Sequence, residues 1–266
     1  MRSALKILIC FPMSSLTERH QHILGKLKKE GTVNVVDLCS ELNVSSVTIR
    51  KDLKMLEDKE LLFRTHGGGT LTNPYTVDRP VKEKAMLHSG EKSGIAETAS
   101  KLIEPNDCIL IASGTTVLSL AKSIHPKGNL TVVTSALNVA FELIHHPGIE
   151  VIQLPGIIRK TSSSVTGNYA ESMLTDFSFS KLFLGVDGID VEFGLTTTNM
   201  MEAQLNKKMI AVAQKTIVLA DSSKFGKRGF GRICGLADIE HIITDDKVSE
   251  HMVDTLKGLG IEVTIV

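Results

Sequence analysis

The chain has 266 residues, 42% of them hydrophobic, which suffices for one small and one medium domain with packed cores. Thirty basic and thirty acidic side chains cancel, which excludes a protein that coats nucleic acid non-specifically but allows a local basic surface. The four cysteines, Cys10, Cys39, Cys108 and Cys234, are scattered without a C-x-x-C pair, and no apolar run is long enough to span a bilayer. Zinc, disulfides and a membrane span are therefore not indicated, and a reducing cytoplasm is the expected location.

Leu5 to Phe11, behind Arg2 and Lys6, has some character of a signal sequence. It lacks a small-residue cleavage site, so export is not expected. Thr17 to Lys29 predicts a first helix with Ile23, Leu24 and Leu27 facing inward and Gly31 ending it. Asn34 is placed to cap a second helix with Val35, Leu38, Cys39 and Leu42 on one stripe. Asn43 and Val44 form a turn, and Ser45 caps a third helix in which Ile49, Leu53 and Leu56 share a buried face. Val47, Arg50, Lys51 and Lys54 face the other way. Charge alone suits a solvated face equally well, since residues 13 to 70 hold nine basic and eight acidic side chains. The two-residue spacing from the preceding helix decides for a helix-turn-helix, with the third helix in a major groove. Ser45, Ser46, Val47, Thr48, Arg50, Lys51 and Lys54 are the expected DNA contacts. Leu61 to Arg64, a tip at His66-Gly67-Gly68-Gly69 and a return at Thr70-Leu71 predict a two-stranded wing. Arg64 and His66 are its candidate contacts, and the glycines would let a turn lie close to a phosphate backbone.

Between Asn73 and Ser89 regularity fails, and Pro74 and Pro80 bracket a polar linker. A helix over Ile95, Ala99 and Leu102 then opens an alternation of helices with seven apolar runs, at residues 108–112, 130–133, 151–154, 182–186, 216–220, 241–243 and 262–265. Uniformly apolar strands joined by helices imply a parallel sheet covered on both faces, with ligands at the strand C-terminal ends. The loops there carry hydroxyls and charge. Ser113-Gly114-Thr115-Thr116 opens a helix and suits phosphate. Asp187-Gly188 with Thr197, and Asp221 to Gly226 with Lys224, follow later strands. Each alone reads as a turn. Together they suggest a phosphorylated polyol, with Ser113 to Thr116 on the phosphate, Asp187 on hydroxyls and Lys224 on an anionic or carbonyl oxygen; Gly188 and Thr197 complete the set.

Glu18-Arg19, Ile23, Leu27, Gly31, Val33, Leu38, Leu42, Val44-Ser45, Thr48 to Leu53, Leu56-Glu57, Leu62, Arg64 and His66-Gly67-Gly68 resemble the winged helix-turn-helix of DeoR-family transcriptional regulators. The SGTT, GVDGID, GLTTT and LADSSKFG segments resemble that family's sensor domain. The resemblance implies an α/β chain: a winged helix-turn-helix at 14–72, a linker at 73–89, and a parallel-sheet domain at 90–266 like ribose-5-phosphate isomerase and the CoA transferases. It implies a repressor of sugar or polyol metabolism genes that binds double-stranded operator DNA and is released by a phosphorylated sugar. It also places the translation start at Met13, with residues 1–12 a tail or an artefact. Lys51, Ala112, Ser135 and Pro155 depart from the family pattern, where a second arginine, an acid, an asparagine and a glycine are usual.

A homodimer or higher homo-oligomer is expected, because one recognition helix reads few base pairs. No cofactor, metal or catalytic residue is expected. The competing reading is a sugar-phosphate isomerase with a DNA-binding appendage. Such an isomerase needs a carboxylate base, and Glu202 is the lone acid between Asn199 and Met209. A helix N-terminal acid is the simpler role for it. A sensor that has lost its ligand is a third reading, compatible with Ala112.

Overall fold

The computed structural model describes residues 16–59, 61–65, 67–71 and 79–266. The chain divides into two compact units, Met1–Pro74 and Tyr75–Val266.

In the first unit α1 (Leu16–Glu30) is followed by β1 (Thr32–Asn34), α2 (Val35–Leu42), α3 (Ser46–Glu57), β2 (Phe63–Thr65) and β3 (Gly68–Thr70). Local chemistry sets the boundaries. Gly31 adopts φ 76° and its N–H donates to the Leu27 carbonyl at 2.8 Å. The Asn34 side chain accepts from the Val36 N–H at 2.8 Å, and Ser45 Oγ accepts from the Thr48 N–H at 3.2 Å. Asn43 takes the left-handed conformation at φ 52°, which Asn tolerates better than most residues, and so turns α2 into α3. Ile23, Leu27, Leu38, Leu42, Ile49, Leu53 and Leu56 form the core. Beneath it Asp52, 1% exposed, accepts two bonds from Arg19 at 2.8 and 3.0 Å, tying α1 to α3.

The wing differs from the sequence expectation. Its sheet has three strands, ordered β1-β3-β2, and Gly68 and Gly69 lie inside β3 rather than at a tip. A Cβ on Gly68 would stand 1.7 Å from the Val33 carbonyl oxygen, so this glycine permits close approach of β1. His66 lies outside the described residues.

The second unit begins with α4 (Val81–Met86) and α5 (Ser89–Ser100), so part of the segment read as linker is helical and belongs here. There follow β4 (Cys108–Ile111), α6 (Thr115–Ser123), β5 (Leu130–Thr134), α7 (Leu137–Leu143), β6 (Ile149–Gln153), β7 (Ile157–Arg159), β8 (Ser164–Thr166), α8 (Asn168–Leu174) and β9 (Lys181–Gly185). Then come β10 (Gly188–Asp190), β11 (Gly194–Thr197), α9 (Met200–Ala211), β12 (Thr216–Leu219), β13 (Gly231–Cys234), β14 (His241–Thr244), α10 (Glu250–Gly258) and β15 (Glu262–Ile265).

A seven-stranded parallel sheet, ordered β15-β14-β12-β9-β4-β5-β6, organises the unit. Its strands coincide with the seven expected runs to within two residues. Alternate side chains feed two cores. Ile109, Ile111, Phe183 and Ile217 meet α5, α6 and α7, whereas Leu110, Leu182, Leu184 and Val218 meet α8, α9 and α10. The chain runs from β4 out to β6, then returns to the other flank of β4 with β9. Strand order therefore reverses between β4 and β9, and a crevice opens beyond their carboxyl ends. The hairpin β7-β8 and the antiparallel sheet β10-β11-β13 are additions the apolar pattern did not show.

Candidate functional site

At that reversal lies a cleft of about 610 Å³, partly open to solvent. One wall is the β4–α6 turn. Gly114 sits at φ 138°, a conformation side chains disfavour, and starts α6 without any side-chain cap. The N–H groups of Thr115, Thr116 and Val117 precede that of Leu118, the first to donate within the helix (to the Gly114 carbonyl at 3.1 Å), and the hydroxyls of Ser113, Thr115 and Thr116 stand beside them. Such a terminus is an anion site.

Asp187, just past β9, and Thr197, at the end of β11, line the opposite side, and Lys224 enters from the turn after β12. The ammonium of Lys224 has no polar partner among the described residues. Asp187 is already engaged. Its Oδ1 accepts from Lys84 Nζ at 2.9 Å, and its Oδ2 accepts from Thr197 Oγ1 at 3.1 Å and the Thr198 N–H at 3.3 Å. Burial works to raise this carboxyl's pKa, but the charges of Lys84 and Lys224, with the bonds from Lys84 and Thr197, outweigh it and hold the group below the usual carboxylate range. Of the eight residues expected around a ligand, seven line the cleft. Gly188 does not: it is buried in β10, where a Cβ would meet the Lys227 carbonyl oxygen at 2.4 Å.

The sequence reading missed a second set. Arg79, Val81 and Lys84 reach the cleft from the segment read as linker, and Thr161 and Ser162 reach it from the β7–β8 turn. Glu202 and Asn206 come from α9. Glu202 stands in the first turn of α9, the helix N-terminal acid expected of it, but it is buried there. It is 7% exposed, paired with Arg159 at 2.5 Å, and accepts from Ser164 at 3.2 Å. Since Arg159 neutralises Glu202, the unbalanced lining charge is cationic: Arg79, Lys84 and Lys224 against Asp187. The cleft therefore favours an anion bearing hydroxyls.

On α3 the polar face is as anticipated in position. Val47 is 61% exposed, Ser45, Ser46, Arg50, Lys51 and Lys54 are exposed, and Thr48 is half-buried with its hydroxyl 3.0 Å from that of Ser45. Arg64, in β2, is half-buried beside Glu57, whose carboxylate accepts from its N–H at 2.9 Å. Among the described residues no helix is long and apolar enough to cross a membrane.

Comparison with known proteins covers both units. Residues 19–74 match the DeoR-like helix-turn-helix domain and residues 87–246 the DeoR C-terminal sensor domain. A protein of Escherichia coli O157:H7, named as a candidate transcriptional repressor of the aga operon, is 35% identical over 96% of this chain and 95% of its own length. The transcriptional repressor AccR of Agrobacterium fabrum is 32% identical over 87% of this chain and 90% of its own. Among solved structures, ribose 5-phosphate isomerase A from Methanocaldococcus jannaschii is similar over 50% of this chain and 53% of its own, at 15% identity and a TM-score of 0.38. With relatives named as repressors along nearly its whole length, the chain belongs to the DeoR family and is a DNA-binding transcriptional regulator rather than an enzyme.

Proposed function

We propose that this regulator represses genes of sugar or polyol metabolism and that a phosphorylated sugar bound in the cleft lowers its affinity for operator DNA. The observation that carries the reading is the convergence of Arg79, Lys84 and Lys224 on an uncapped helix N-terminus lined with hydroxyls. A phosphate dianion satisfies both the open N–H groups and the surplus cations, and no neutral sugar does. Thr161, Ser162, Thr197, Asn206 and Glu202 then supply donors and acceptors for a hydroxylated tail. Ser45, Ser46, Val47, Thr48, Arg50, Lys51 and Lys54 form the operator face, and Arg64 and His66 are further contacts assigned from the sequence. The relatives' names point to operon repression, which is the natural task of such a pairing. The regulator acts as a homodimer or higher oligomer on paired half-sites in the cytoplasm.

Calorimetric titration of the full chain with pentose and hexose phosphates, and with their unphosphorylated parents, tests the ligand class. At least one phosphorylated sugar is expected to bind while its parent does not. Equal binding of parent and phosphate would contradict the reading.

A further inference from the structure

α4 is the first described helix of the second unit, and it buries none of its residues. What holds it is polar. The Val81 N–H donates to the Thr161 carbonyl at 2.7 Å, and the buried Lys92, on α5, donates to the carbonyls of Lys84 and Leu87 at 2.6 and 2.5 Å. The remaining tether is Lys84 to Asp187 at 2.9 Å, an ion pair whose two residues both line the cleft. An element with no fully buried residue belongs to the low-stability end of a fold, so exchanging one tether is enough to shift it. Asp187 Oδ2 accepts from Thr197 and Thr198, and its Oδ1 accepts from Lys84. A phosphate at the α6 N-terminus offers that same ammonium a partner of higher charge.

We propose that Lys84 is an exchangeable tether. It passes from Asp187 to the phosphate of the ligand, which frees Asp187 Oδ1 for a ligand hydroxyl and re-seats α4 on the chain leading back to the DNA-binding unit. The two-partner exchange supplies what a switch requires, a contact that differs between two states. This inference rests on the phosphate reading of the cleft.

Inorganic phosphate is the probe, because it lacks hydroxyls on a carbon tail that would engage Asp187 directly. Its affinity for the full chain is measured by calorimetry for wild type, Lys84→Met, Asp187→Asn and the double variant. Lys84→Met should weaken binding by roughly tenfold, the scale of one charged hydrogen bond. Asp187→Asn removes the competitor and should strengthen binding several-fold, and this gain should vanish in the Lys84→Met background. An equal gain in both backgrounds would reveal a long-range field effect and overturn the tether, as would a Lys84→Met variant that binds like wild type. Amide hydrogen exchange in the same samples separates the two layers of the argument. Phosphate should slow exchange at Thr115 to Val117 and alter it across residues 81–88, the latter in wild type but not in Lys84→Met. No effect at Thr115 to Val117 removes the cleft reading and the tether with it. An effect there with residues 81–88 unchanged in wild type removes the tether alone.

Discussion

Arg50, Lys51 and Lys54 stand exposed on α3 and make no ion pair among the described residues. Among the described residues of the unit nothing competes with a phosphate for them. Arg50→Ala and Lys51→Ala are each expected to weaken binding to all duplexes alike and to reduce the slope of log affinity against log salt by about 1. Substituting Val47, exposed in the first turn, should instead change which sequence is preferred. An unchanged salt slope in both charge variants would show that another face meets DNA. The exposed position of these residues on α3, the Asn34 and Ser45 caps and the helix-opening turn at Ser113 to Thr116 could be read from sequence because each forms within one short local pattern. Arg79, Lys84 and the Arg159–Glu202 pair could not. Lys84 meets Asp187 across 103 residues, and a lysine in a proline-bracketed polar stretch looks like any solvated charge until the fold brings it to the cleft.

At the scale of elements, the seven parallel strands were legible because strands covered on both faces are apolar at every position and need no register to be recognised. Apart from the two strands of the wing, the three- and four-residue antiparallel strands were not: Thr32-Val33-Asn34 carries one buried side chain, too little for any periodicity. That missing strand is also why Gly67-Gly68-Gly69 suggested a flexible tip. The close approach of β1 to β3 gives a direct check. Gly68→Ala must push a Cβ into the Val33 carbonyl or part the strands, and should destabilise the first unit by about 3 kcal/mol, the upper range for overpacking. In urea unfolding of the full chain the first unit's transition should move to lower denaturant while the second unit's stays. If neither moves, the β1–β3 pairing is wrong.

The whole molecule joins a helix-turn-helix unit to a sensor more than twice its size, and with one recognition helix among the described residues the proposed half-site pairing falls to association between copies. Light scattering of the full chain, alone and on its operator, should therefore report at least a dimer at micromolar concentration, and a monomer in both conditions would contradict this. Whether a phosphorylated ligand in the β4–β9 crevice governs DNA binding is decided by operator affinity with and without saturating sugar phosphate for wild type, Thr115→Ala and Lys224→Ala. Wild type should lose roughly ten- to a hundredfold in affinity, within the usual range of coupling energies. Thr115→Ala should need more ligand but reach the same loss, since its hydroxyl serves the anchor. Lys224→Ala should bind ligand more weakly by about 1–3 kcal/mol and lose most of the response, because its ammonium gains a partner when the ligand is bound. The claim fails if no phosphorylated sugar shifts wild-type operator binding, or if Lys224→Ala responds to saturating ligand as fully as wild type.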